Sequence, residues 1–148
     1  DLHLLSRRQR QMCIRDSDGT PYVDGALSGS GGIPVDAAEA DGFERYLVLC
    51  TRPRDYVRPP VKHPGAVRRI LRRHPAVADA VIARPARYNA TRRHLFDLER
   101  QGRALLFFPE EMRISNTERN LDRLKATYYD GLVQTQRDWD RIMDFLTA

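Results

Sequence analysis

The run ERYLVLCT, residues 44–51, decides the fold class. From Tyr46 to Cys50 no polar side chain interrupts it. Alternation would mark a strand with one wet face, so its absence predicts a strand buried on both faces, the habit of parallel sheets. RALLFFP, residues 103–109, repeats the pattern. A third, shorter strand is expected at PYV, residues 21–23, ending at Asp24.

Helical texture fills the intervals. IPVDAAEADG places Pro34 in a first turn, where its missing N–H costs nothing, and Gly42 at the stop. In PGAVRRILRRHP, Val67, Ile70, Leu71 and His74 share one face while Arg68, Arg69, Arg72 and Arg73 point away. AVADAVIAR (76–84) continues with Val77, Ala80 and Val81, and Pro85 should break or kink it. Tyr88, Thr91, Leu95 and Leu98 form the inner face of a helix that stops at Gly102. Ser115-Asn116-Thr117-Glu118 has the capping-box pattern. It should open a helix with Leu121, Leu124 and Tyr128 inward, broken by Gly131. A last helix carries Leu132, Gln136, Trp139, Met143 and Leu146 on one stripe, with Trp139 in the core. Strands alternating with helices predict an α/β fold with a mostly parallel sheet covered on both faces. Three strands make a thin sheet for two such apolar runs, so residues 18–148 read as the C-terminal part of a larger α/β domain.

Composition narrows the classes. The chain has 148 residues, 41% hydrophobic and 30% charged, which suits a globular domain. No apolar run approaches the roughly 20 residues of a membrane span, and no secretory core is visible. Cys13 and Cys50 are far apart and indicate neither a disulfide framework nor a zinc site. Cys50 reads as a small buried hydrophobe. The net charge of +5 suggests an anionic partner, but residues 1–17 contribute part of it. DLHLLSRRQRQMCIRDS holds four arginines against two aspartates, and RQRQMCIRDS has the texture of translated sequencing adaptor. We read 1–17 as a non-native leader, without which the charge falls by two and the basic-partner argument weakens. His63, His74 and His94 have no metal-ligand spacing and read as structural, so no metal is expected. The four arginines of the 68–73 segment read as a solvated helix face.

The chemistry-bearing candidate is Asp24. An aspartate at the C-terminal end of a strand in an open α/β sheet lies where such folds place their ligands. Asp-Gly is equally a turn dipeptide. YVDGALSGSGGIPVDAAEADGFERYLVLCTRP resembles the second signature block of the patatin-like phospholipase family, bacterial members in particular. Arg52, the Tyr56 loop, Arg87-Tyr88-Asn89 and LLFFP followed by NTERNLDRLKATYYDG add to the resemblance, which covers residues 20–148. It implies a three-layer α/β/α fold and a lipid acyl hydrolase with a Ser–Asp dyad, in which Asp24 is the base and proton acceptor. Gly25 and Ala26 would let the backbone turn behind it. The nucleophile is absent: no Gly-x-Ser-x-Gly occurs, and neither Ser28 nor Ser30 fits one. The resemblance implies a lipid or acyl-ester substrate and no cofactor. Cysteine usage makes a reducing, cytoplasmic setting the default, extended to peripheral contact with a membrane surface, and with no aromatics interleaved among the arginines no nucleic-acid partner is expected. It does not address oligomeric state. A competing expectation is a non-catalytic basic module that binds anionic lipid or nucleic acid, and a third is a half-domain that folds poorly alone.

Overall fold

A computed structural model of the chain describes residues 15–17, 20–115 and 117–147. Residues 1–14, most of the expected leader, lie outside the described residues. The described residues divide into two compact units, one made of those up to residue 41 with 58–92 and the other of 42–57 with those from 93 onward. It is an α/β protein, in which among the described residues helices accompany two small two-stranded sheets, one of them parallel.

In the first unit, β1 (Arg15–Ser17) and β2 (Thr20–Tyr22) form an antiparallel pair, with Arg15 opposite Tyr22. The strand expected at 21–23 therefore exists but makes no parallel pairing with the later strands. A single 3₁₀ turn, Gly25–Leu27, follows, and then α1 (Val35–Ala40), with Pro34 at its N-cap and Gly42 at a φ of 86° just past its end. Helix α2 (Pro64–Ile70) is shorter than predicted and ends before His74. Ile70 is 79% exposed, against the inward place its periodicity suggests. Helix α3 (Pro75–Arg100) contributes its first part to this unit. Pro85 neither ends nor divides it, although a mid-helix proline removes one hydrogen bond. The ring is buried, so packing of this stretch outweighs the local penalty. Val35, Ala78 and Tyr88 form the unit's buried apolar set.

In the second unit, β3 (Tyr46–Leu49) pairs with β4 (Ala104–Phe107) in parallel, with Tyr46 opposite Ala104 and Leu49 opposite Phe107. This is the pairing that the two apolar runs predict. The burial is less symmetrical than expected: Ala104, Leu105 and Leu106 are buried, whereas Leu49 is 69% exposed. Cys50, just past β3, is half-buried. The last turns of α3 supply Leu95 and Leu98, the most deeply buried large side chains, on the face that its periodicity marks as inner. Gly102, at a φ of 72°, ends the helix on schedule.

Helix α4 (Leu121–Arg137) begins later than the capping box suggests. Its cap is Asn120, whose side chain accepts from the N–H groups of Asp122 and Arg123 at 3.0 and 3.1 Å. Glu118 instead accepts from the N–H groups of Arg119 and Asn120, both at 2.9 Å, and these bonds hold its carboxyl below the ordinary glutamate range. Gly131 does not interrupt α4. Helix α5 (Trp139–Thr147) follows after Asp138. The orientation of α4 reverses the sequence expectation. Gln134 is the residue it buries, donating to Phe108 O at 2.7 Å and accepting from Glu110 N at 3.3 Å. Arg137 pairs with Glu110 at 2.7 Å, and Arg113 reaches Asp130 at 3.6 Å. Leu121, Leu124, Tyr128 and Trp139, expected inward, face solvent. Polar bonds to residues 108–113 seat the helix by its hydrophilic side.

Candidate functional site

Asp24 belongs to the first unit, on the turn that follows β2. Its Oδ1 accepts from Ala26 N at 2.9 Å, while its carbonyl accepts from Leu27 N at 3.0 Å. These are the bonds of an aspartate that starts a short turn. They fix the side chain, and Asp24 itself is exposed. Gly25 and Ala26 form the turn as expected, within the 3₁₀ segment.

The loop beyond it is held by α3. Arg87 donates to Leu27 O at 3.3 Å, and Thr91 donates its hydroxyl to Ser30 O at 3.0 Å. Ser30 is buried, with its hydroxyl 3.1 Å from that of Ser28. Gly31 has a φ of 68° and lies against the helix so closely that a β-carbon there would sit 2.5 Å from Tyr88 N. Only glycine suits both the conformation and the contact. The run LSGSGG is therefore a packed loop rather than a slack one.

Tyr88 and Asn89 order a second segment of the same unit. Asn89 accepts from Arg58 N at 2.9 Å and donates to Arg58 O at 3.0 Å, which clamps the backbone of that residue on both sides. The Arg58 guanidinium lies 4.5 Å from the centre of the Tyr88 ring. Arg87-Tyr88-Asn89 thus ties residues 27–31 and 58 to one helix. Arg84, one turn earlier, approaches Gly32, and its Nε is buried with no hydrogen-bond partner. Nothing in the sequence distinguishes Arg84 from the other arginines of that helix, because its place depends on the loop that folds back onto it.

Elsewhere the chemistry is structural. In the second unit, Arg54 bonds both carboxylate oxygens of Glu99 and lies over the rings of Phe96 and Phe108 at 5.1 and 5.3 Å. Donation to the Glu99 carboxylate raises the Arg54 pKa. Arg68, Arg69, Arg72 and Arg73 are exposed, and Arg68 reaches Asp79 at 3.3 Å. Among the described residues no three of His, Cys, Asp and Glu come together as a metal site, and no helix is long and apolar enough to cross a membrane.

Residues 74–147 match the family model described as a domain of unknown function, DUF6363. The chain belongs to that family. No curated protein and no solved structure matches it. The DUF6363 assignment corrects the resemblance to patatin-like phospholipases, since no patatin model matches and the matched stretch includes NTERNLDRLKATYYDG. The structure gives a physical reason. Asp-Gly, Ile-Pro-Val and the glycine stop are turn and cap chemistry that unrelated chains share. The strand before Asp24 pairs antiparallel with β1, whereas the likeness requires it in the parallel sheet. What DUF6363 establishes is kinship for α3, β4, α4 and α5, and its description assigns no activity.

Proposed function

We propose that this chain supplies the general base of a serine-dependent acyl-ester hydrolase, with Asp24 as the base and the nucleophilic serine contributed from outside this sequence. The observation that carries the reading is the mounting of Asp24. One carboxylate oxygen is held by Ala26 N–H, the residue stays exposed, and the following loop is pinned to α3 by Thr91, Arg87 and the close approach at Gly31. A fixed, accessible carboxylate suits proton abstraction in a dyad. The serine hydroxyl would give its proton to Asp24 as its oxygen attacks the ester carbonyl. The alcohol would leave with that proton, and water would then release the acyl group. On this reading β3 and β4 belong to a larger, mostly parallel sheet layered between helices, and the substrate is a lipid or another acyl ester.

The test is ester turnover by the polypeptide that carries this chain together with such a serine. Asp24→Asn should lower kcat by about 10²–10⁴-fold, the usual share of a general base, with circular dichroism unchanged. Near-normal turnover in that variant would remove Asp24 from the chemistry. The exposed arginines of residues 68–73 favour a second reading, a basic surface for anionic lipid or nucleic acid. Binding that falls steeply with salt and survives Asp24→Ala would select it.

A further inference from the structure

The outward faces of α4 and α5 form one apolar stripe. Its large side chains, from Leu121 and Tyr128 on α4 to Trp139 and Leu146 on α5, are 37–66% exposed. The helical pattern carries through the junction, where Asp138 N donates to Gln134 O at 3.0 Å and Ile142 N to Asp138 O at 3.1 Å. Such a stripe belongs on the inside of something.

We infer that it is the seam of an antiparallel pairing with a second copy of this chain. Two features support a second copy over other occupants. The first is spacing. Under an antiparallel two-fold centred between residues 133 and 134, Leu121 faces Leu146 and Leu124 faces Met143. Tyr128 then faces Trp139, and Leu132 faces Thr135. Three of these pairs join large apolar side chains and the fourth sets Leu132 on the half-buried Thr135, so the stripe is self-complementary over most of its length, as an isologous interface requires. The second is charge. Helix α4 carries three cations and two anions, whereas Asp138 and α5 carry three anions and one cation. Antiparallel pairing lays the basic helix of one copy along the acidic helix of the other. Lys125, beside the stripe, comes level with residue 142 of the second copy, two positions or about 3 Å along the axis from Asp140, so the long lysine side chain reaches that carboxylate, twice per pair. An anionic bilayer would meet the acidic end unfavourably.

Sedimentation velocity of the whole chain over a concentration series tests this. Concentration-dependent dimers are expected. Tyr128→Glu should weaken dimerisation at least tenfold without changing circular dichroism or the unfolding midpoint of the dilute monomer, because Tyr128 is exposed in the single chain. Lys125→Glu should weaken it too, and Lys125→Glu combined with Asp140→Lys should restore it, as only antiparallel pairing between copies requires. A wild-type chain that stays monomeric to several hundred micromolar overturns the inference. So does a dimer indifferent to Tyr128→Glu, or a double charge exchange that fails to rescue. If the monomer instead binds neutral phosphatidylcholine vesicles and Tyr128→Glu abolishes it, the stripe is a lipid-facing surface.

Discussion

Gly31→Ala isolates the contact that holds the Asp24 loop. Gly31 has a φ of 68°, and Gly102 has a φ of 72°. An alanine at either position carries the left-handed penalty of about 1–2 kcal/mol. Each recovers about 0.4–1 kcal/mol because the unfolded chain loses freedom. Their surroundings differ. A β-carbon at Gly102 meets nothing within 4 Å, whereas one at Gly31 would lie 2.5 Å from Tyr88 N and 2.7 Å from Tyr88 Cα. Those are helix backbone atoms, which cannot rotate away as a side-chain tip can. Overpacking of this kind costs about 1–3 kcal/mol, so Gly31→Ala should exceed Gly102→Ala by that amount. At about 2–4 °C per kcal/mol for a chain of this size, the extra loss in Tm is roughly 2–12 °C. Calorimetry on the two variants measures it. Amide exchange should also show faster opening across residues 28–32 in Gly31→Ala alone. Equal destabilisation by the two substitutions would refute the account of the loop as packed against α3.

The seating of α4 and the titration of its first turn give two further tests. Gln134→Ala removes its part-buried bonds to Phe108 O and Glu110 N, so it should cost about 0.5–1.5 kcal/mol for each bond. Urea unfolding followed by Trp139, the sole tryptophan, reads this directly, and Gln136→Ala, an exposed change, should stay within about 0.5 kcal/mol. Glu118 has its folded pKa lowered by N–H donation from Asn120 and then Arg119. Its stabilising effect is complete above the ordinary glutamate range and disappears as pH falls through the lowered folded value. The Arg119 and Asn120 amide shifts should follow that titration, and the transition should vanish in Glu118→Gln. Amides that ignore acid would show that these bonds do not form in solution.

Local chemistry made much of the second unit legible. The apolar runs at 46–50 and 104–108 predict parallel partners, and β3 and β4 pair in that way. Leu95 and Leu98 fall on the buried face that their spacing marks. Helix ends were less legible where several side chains competed for the same role. Ser115 and Glu118 fit a capping box, yet Asn120 caps α4 because its carboxamide reaches two N–H groups while Glu118 folds onto the turn before it. Arg87, Tyr88 and Thr91 organise the Asp24 loop through carbonyls and backbone atoms that no residue pattern specifies. The family resemblance failed for a related reason: it was assembled from short turn and cap signals, each of which many chains satisfy.

Helix α4 is seated in reverse, polar side inward. An amphipathic helix normally buries its apolar stripe, since that burial is worth roughly 25 cal/mol per Å². Here the buried position is Gln134, and the residues after β4 exchange polar bonds with Gln134, Arg137 and Asp130. Those bonds cannot by themselves outweigh an unburied leucine, tyrosine and tryptophan stripe, because exposed ion pairs contribute little. The seating is economical only if the stripe is covered in the working protein. Polar bonds on one face then set the helix's orientation, and the apolar face supplies the energy of assembly. That division explains why periodicity identified the stripe correctly yet misjudged which way it would point. A partner's surface satisfies the hydrophobic pattern as well as the chain's own core does.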